Sequence, residues 1–458
     1  MKYQSTRGGV SGLGFKEAVM MGLATDGGLL VPQEIPDVSN KLSEWTGLSF
    51  KEVALNIMLE YITDIPRSDL EQIIGQSYAI FDHEKVTPVV EVGNIHLLEL
   101  YHGPTLAFKD IALQFVANLF EYILDKENRH LNILGATSGD TGSAAIEAVR
   151  GKSNINIFIL FPEGKTSPTQ EKQMTTVLDE NVFSIGIQGN FDDCQNLIKS
   201  IFSDLPFKEE YQLGAVNSFN WARILAQVVY YFYAWYELDK PEAFDVAVPT
   251  GNFGDIFAGY LAMQMGLPVH KLILATNSNN ILERFFNTGN YQRGEVHTSE
   301  SPAMDIQVSS NFERYLYYKL DRNGKKVSDF FDKFLQDGNA KLDFNTRSFD
   351  ESFIAGSASD IETRDTIASI YQEYNYLVDP HTAVGIHVGN QHRTSGIPLL
   401  CLSTAHPAKF EDVIRRSIPD LVPHHPTLDA LEGKPTKKET LDSEVDVIKA
   451  FIRKHSRH

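Results

Sequence analysis

Three short segments hold residue types that chemistry needs. Gly251-Asn252-Phe253-Gly254-Asp255 follows the apolar run Val246-Ala247-Val248-Pro249 and precedes a helical stretch over 256–266. Glycines let backbone N–H groups approach a ligand closely, and a helix start adds partial positive charge, so the natural guest is a phosphate or another anion. A tight turn with glycines at positive φ would read the same way. Gly135-Ala136-Thr137-Ser138-Gly139-Asp140-Thr141-Gly142 lies between Ile133-Leu134 and a short helix at 143–150. Thr137, Ser138 and Thr141 can donate to an anion beside that helix. An ordinary N-cap would use only Asp140 or Thr141 and leave the rest of the cluster without a purpose. The third segment is His102-Gly103-Pro104-Thr105-Leu106-Ala107-Phe108-Lys109-Asp110. Lys109 falls in the first turn of an amphipathic helix whose stripe includes Ile111, Phe115, Leu119 and Ile123. The positive end of a helix lowers an amine's pKa, which suits a nucleophilic or Schiff-base lysine. A surface lysine paired with Asp110 or Glu84 is the plain alternative.

These segments need a scaffold. From about residue 86 short apolar runs alternate with helical stretches. Strands are expected at 95–100, 131–134, 155–161, 182–187, 244–248, 272–275 and 398–402. Continuous apolar runs of this length suit strands buried on both faces, and intervening helices suit crossovers over parallel sheets. The pattern predicts an α/β chain with two mostly parallel sheets flanked by helices, one around 131–187 and one around 244–275 plus 398–402. The expected organisation has four parts: a mixed, partly helical region at 1–85, a strand and lysine helix at 86–130, a smaller mobile α/β domain at 131–214, and a large α/β domain at 215–458. In the first part, helices are predicted over Phe15–Met21, over 50–62 and from Ser68 as an N-cap, with a turn and strand at 26–32. The chain closes with a helix at 443–454. In open α/β sheets ligands bind at the carboxyl ends of strands, where all three segments fall.

Composition removes whole classes. The chain has 458 residues, 42% hydrophobic and 22% charged, which is material for large cores rather than disorder. No run of about 18 uncharged apolar residues appears, so no membrane span is expected. The first residues lack an apolar signal segment, and Cys194 and Cys401 cannot build a disulfide framework, so a cytoplasmic protein is expected. The net charge of -19 argues against nucleic-acid binding. It also means that an anionic substrate must find a locally positive pocket.

Other patterns lead nowhere. Gly164-Lys165-Thr166 imitates the end of a phosphate-binding P-loop, but Ile159 stands where its glycine is needed. No Gly-x-Gly-x-x-Gly follows a strand. His381, His387 and His406 read as packed or capping residues, and no metal site is expected.

Taken together, the motifs resemble those of the threonine synthase family, fold-type II enzymes that use pyridoxal 5'-phosphate (PLP). The resemblance begins at Tyr3-Gln4-Ser5-Thr6-Arg7-Gly8 and runs through Leu23 to Leu29, His102 to Asp110, Thr137 to Gly142 and Phe161-Pro162-Glu163-Gly164. It continues with Asn217-Ser218 through Arg223, Gly251 to Asp255, and Leu402-Ser403-Thr404-Ala405-His406-Pro407. The N-terminal extension is similar to that of the longer group in the family. The resemblance implies conversion of O-phospho-L-homoserine and water into L-threonine and phosphate, by γ-elimination and then β-addition of water. It implies Lys109 as the Schiff-base lysine and proton shuttle. Gly251, Asn252, Phe253, Gly254 and Asp255 would cradle the cofactor phosphate, with Thr404 facing the pyridine nitrogen. Thr137, Ser138 and Thr141 would hold the substrate carboxylate, and Arg223, Asn217 and Ser218 its phosphate. The expected partner is this small molecule alone, bound by a monomer or homodimer. Asp140 stands where some relatives of this fold type carry Asn near the cofactor phenolate, which it would repel if ionised.

Overall fold

The computed structural model describes every residue except Ser138, Val216, Asn217, 344–348 and His458. The chain divides into two compact units. One comprises Met1–Ile74, Asp82–His102 and Ser218–Pro423, and the other Gly75–Phe81, Gly103–Asn217 and His424–His458.

The first unit is built on a six-stranded sheet. Its order is Phe353–Ser357, Val269–Thr276, Phe244–Pro249, Leu399–Ser403, Ile95–Glu99 and Val89–Val92. All neighbours run parallel except the last pair, a hairpin. Phe244–Pro249 and Leu399–Ser403 are buried along their whole length, as their mostly apolar sequences favour, with Asp245 and Ser403 the polar exceptions. Ala247, Ile273, Leu399 and Cys401 pack under Ala383, Val384 and Val388 of the Pro380–His392 helix. Each such aliphatic side chain contributes about 1.5–3 kcal/mol by leaving water.

The N-terminal region is part of this unit and not a separate domain. Its strands Ser11–Leu13, Tyr3–Ser5 and Leu30–Pro32 form a small antiparallel sheet. The Tyr3 ring lies 5.9 Å from Phe15 and 6.0 Å from Trp221, which fuses the region to the unit's core. The helices Phe15–Met21 and Phe50–Tyr61 are present, the second closed by a Ser49–Glu52 capping box. The next helix begins at Arg67, one residue before the expected cap at Ser68, because the Pro66 carbonyl already accepts from Leu70 N–H at 3.0 Å.

The second unit carries a five-stranded, wholly parallel sheet. Its order is Glu439–Asp442, Val182–Gln188, Ile155–Pro162, Leu131–Ala136 and Leu213–Gly214. All eight residues of the central Ile155–Pro162 strand are buried. The expected boundaries fail at both ends of this unit. The lysine helix Lys109–Glu127 belongs here, and so does the C-terminal helix Val445–His455, which was expected in the large domain. The reason is pairing: Glu439–Asp442 adds to Val182–Gln188, and Ile448 and Ile452 then bury themselves beside Ile185, Leu197 and Ile201. Among the described residues, no helix is long and apolar enough to cross a membrane.

Candidate active site

In the smaller unit, the loop before Lys109 is wound around a carboxylate. Asp110 is fully buried and accepts from Thr105 N–H at 2.8 Å and Thr105 Oγ1 at 2.7 Å. Leu106 is left-handed, with φ 60°. Gly103 allows the close approach, since a Cβ there would lie 2.4 Å from Asp110 Cβ. The helix therefore starts at Lys109 with its backbone fixed from the preceding loop. Lys109 is not a surface residue paired with its neighbour. Its side chain is 11% exposed, and Nζ lies 3.4 Å from Asp140 Oδ2.

Asp140 opens the ten-residue helix Asp140–Val149, and its Oδ1 accepts from Gln170 Nε2 at 2.8 Å. Gln173, one turn further along the Pro168–Thr175 helix, donates to Thr105 O at 3.1 Å. One helix thus braces the lysine loop and the 135–142 loop together. Thr137 builds the latter loop. Its Oγ1 accepts from Gly139 N–H at 3.0 Å and Gly142 N–H at 2.9 Å, and donates to Gly139 O at 3.1 Å. A hydroxyl has one proton, so this arrangement commits Thr137's to the loop and not to the expected carboxylate. Thr141 is half-buried in the first helical turn. Ser138 lies outside the described residues.

In the larger unit, the Phe244–Pro249 and Leu399–Ser403 strands run parallel as neighbours, so the turn at 251–255 and Thr404 emerge at the same sheet edge. The Gly251 carbonyl accepts from Ser309 Oγ at 2.8 Å. The Asn252 carbonyl accepts from Asn311 N–H at 3.0 Å and Nδ2 at 3.1 Å. A trans peptide directs its N–H opposite to its C=O, so these anchors aim the Asn252 and Phe253 N–H groups the other way. None of the N–H groups from Gly251 to Gly254 has an acceptor among the described residues. Phe253 takes a left-handed φ of 62°, a strain offset by its ring, which sits 5.3 Å from Tyr315 and 5.5 Å from Phe312. Asp255 does not face a ligand with its charge. Its Oδ1 accepts from Tyr230 and Tyr231, and burial pushes its carboxyl up to about 6. The turn therefore presents N–H groups and a helix start to an anion while its one carboxylate is turned inward.

Arg223 sits in the first turn of the Trp221–Glu237 helix, which Asn220 caps through Ala222 N–H. Its side chain is buried, and Nε and Nη1 have no hydrogen-bond partner among the described residues. Burial pulls its guanidinium down to about 10. The helix lies beside the turn: Ile224 Cδ1 would be 3.5 Å from a Cβ at Gly254. Ser218 Oγ shares a hydrogen bond of 3.1 Å with Ser310 Oγ, while Asn217 lies outside the described residues. A buried, unpartnered guanidinium on a helix that packs beside a turn of unpartnered N–H groups fits phosphate groups well. Thr404 is buried, and its N–H donates to Thr382 Oγ1 at 3.2 Å. His381 Nδ1 donates to Asp379 Oδ2 at 2.7 Å while its Nε2 accepts from Ala303 N–H, and His406 caps a short helix through Ala408 N–H, so both are structural. Asn311, Ser309 and Gln170 escaped the sequence reading. Ser309-Ser310-Asn311 reads as an ordinary helix cap, and nothing in it signals a distant turn.

Three family models match the chain. They are the threonine synthase N terminus over residues 2–78, pyridoxal-phosphate dependent enzyme over 80–332, and the threonine synthase C-terminal model over 382–452. A threonine synthase from Schizosaccharomyces pombe is 45% identical, covering 91% of this chain and 89% of its own. One from Pseudomonas aeruginosa is 44% identical over 99% and 98%. The crystal structure of a PLP-bound threonine synthase from Brucella melitensis, 44% identical, superposes with a TM-score of 0.97 over the whole of both chains. The α/β scaffold with two mostly parallel sheets, the N-terminal segment and the C-terminal segment all match the same group, and the chain belongs to the threonine synthase family of pyridoxal-phosphate dependent enzymes.

Proposed function

We infer that the chain is a PLP-dependent lyase that converts O-phospho-L-homoserine and water into L-threonine and phosphate. The observation that carries the assignment of residues is the buried Arg223 guanidinium, with Nε and Nη1 unpartnered among the described residues, on a helix that packs beside a turn whose N–H groups are also unpartnered there. Such a donor set is costly to bury unless an anion uses it. The turn from Gly251 to Gly254, with the helix start at Asp255, holds the cofactor phosphate. Arg223, with Asn217 and Ser218, takes the substrate phosphate as it leaves. Thr404 faces the pyridine nitrogen.

When bound, the cofactor supplies an electron-withdrawing ring that makes protons on the substrate carbons next to it acidic. The protein's part is proton handling and orientation. Lys109 Nζ would carry the cofactor and, once freed, take the Cα proton and a Cβ proton as the phosphate leaves, then return protons to Cγ and, after water has added at Cβ, to Cα. Asp140 Oδ2, 3.4 Å from Nζ, keeps that amine on one side. Ser138 and Thr141 orient the substrate carboxylate from the loop that Thr137 shapes. The reaction takes place in the cytoplasm, a reading supported by two buried, free cysteines, and is carried out by a monomer or homodimer.

The test uses the purified chain loaded with PLP. Equal amounts of phosphate and threonine should be released from O-phospho-L-homoserine. Borohydride treatment followed by peptide mapping should leave the cofactor on Lys109. Phosphate release without threonine would overturn the reaction, and labelling of another lysine would overturn the site.

A further inference from the structure

Arg314 belongs to none of the motifs read from the sequence, yet it is among the largest fully buried side chains of the chain. It lies on the Phe312–Lys319 helix. Its Nε and Nη2 donate to Leu30 O at 3.0 Å each, Nη2 also to Phe219 O, and Nη1 to Asn311 Oδ1 at 2.5 Å. Its guanidinium also lies 5.8 Å from the centre of the Trp221 ring. Every one of these partners is neutral. The adjacent carboxylate, Glu313, is taken by Arg7 at 3.0 Å and by Thr6 Oγ1 at 2.6 Å. A buried guanidinium without a carboxylate is expensive, and burial pulls its pKa down to about 9. Such a charge is retained where an anion nearby uses it.

The hydrogen bonds say how it is used. A guanidinium only donates, so Arg314 fixes which end of the Asn311 amide faces it. The Oδ1 turns toward Arg314, and Nδ2 must then point at Asn252 O (3.1 Å) and Ser218 O (3.2 Å). With Oδ1 and Nδ2 exchanged, a carbonyl would face two carbonyls. The same guanidinium holds Phe219 O, next to Ser218 and four residues before Arg223.

We propose that Arg314 is a positioning residue for phosphate recognition: through Asn311 it sets the Asn252 peptide in the 251–254 turn, through Phe219 it sets the Ser218 segment, and its unneutralised charge strengthens the turn's hold on a phosphate monoester. The N-terminal Thr6-Arg7 pair acts in the same system by holding Glu313 out of a direct ion pair with Arg314. The proposal rests on the reading that the turn holds the cofactor phosphate.

The experiment compares two aldehydes that differ only in that group. Cofactor-free full-length chain is titrated with PLP and with pyridoxal, following absorbance, and the ratio of the two dissociation constants is taken. In Arg314→Met the preference for PLP should fall about tenfold or more, with pyridoxal binding changed by no more than about twofold. Arg314→Lys keeps a donor and a charge and should restore most of the preference. Asn311→Asp guards against misfolding of the first variant. It gives Arg314 a carboxylate partner, cancels the charge and removes the donor to Asn252 O, so it should lose the preference as well. Equal weakening of both aldehydes, or an unchanged ratio in Arg314→Met or Asn311→Asp, overturns the proposal. A parent chain without preference for PLP over pyridoxal would instead overturn the underlying reading of the turn.

Discussion

A carboxylate beside a reactive amine has opposite effects from a helix start beside the same amine. Lys109 sits at the start of its helix, and Asp140 Oδ2 lies 3.4 Å from its Nζ. The geometry makes Asp140 a partner of the amine, held by Gln170 on its other oxygen. Asp140→Asn keeps an acceptor for Gln170 but loses the charge. Its kcat should fall about tenfold, with thermal unfolding unchanged. An unaltered rate and cofactor spectrum would make the position structural. Asp255 supports a second prediction at this scale. Burial raises its pKa from 3.8 to about 6, against the pull of two tyrosine hydrogen bonds. A raised carboxyl pKa means that the native state binds the proton more tightly than the unfolded chain. Its contribution is complete below about pH 4 and is lost as pH rises through about 6, on the order of 3 kcal/mol in all. Asp255→Asn removes that loss. The unfolding temperature of the variant relative to the parent should therefore rise between pH 5 and pH 8, and a flat difference would count against a buried ionised Asp255. The residues proposed to touch ligands were legible because lysine, glycine clusters and hydroxyl clusters are rare at strand ends. The residues behind them were not. Asn311 and Arg314 lie about sixty positions from the turn they shape, and only folding brings them to it.

At the scale of elements, the sequence shows what is continuous and apolar. Ile155–Pro162, Phe244–Pro249 and Leu399–Ser403 are mostly apolar, each with a single polar residue (Asn156, Asp245 and Ser403), and they are buried strands of the two sheets. Phe353–Ser357 and Glu439–Asp442 escaped because both are edge strands. An edge strand has one paired side, so its composition is free to be small and polar, as Glu439-Thr440-Leu441-Asp442 is. Missing that strand misplaced the whole C-terminal segment, since its pairing with Val182–Gln188 is what assigns the last helix to the smaller unit. The assignment has a measurable consequence. Ile448 and Ile452 are fully buried among residues of that unit alone. Ile448→Ala should cost about 2–5 kcal/mol there. Limited proteolysis should then cut the 103–217 segment before the 218–423 segment. Faster cleavage of 218–423 would place the helix in the other unit after all.

At the scale of the whole molecule, a net charge of -19 opposes a site built for two phosphates. The two fields differ in range. The overall repulsion acts through solvent, where the Debye length falls from about 30 Å at 0.01 M salt to about 8 Å at 0.15 M. The proposed attraction from Arg223 and the turn acts at hydrogen-bond distance from buried groups, with Arg314 behind the turn, where salt screens little. Added salt therefore removes more repulsion than attraction during approach. The association rate of PLP with cofactor-free chain should rise about twofold or more between 0.01 and 0.15 M ionic strength, while its dissociation rate stays nearly constant. A salt with a bulky anion keeps direct competition at the turn out of the measurement. The opposite trend, a rate that falls with salt, would mean that the basic groups project their field beyond the site and that the acidic surface lies away from its entrance. Pyridoxal, without the phosphate, is the control whose association should respond least. The same argument applies to the phosphorylated substrate, whose kcat/KM should follow the PLP association rate as salt is raised if encounter limits turnover.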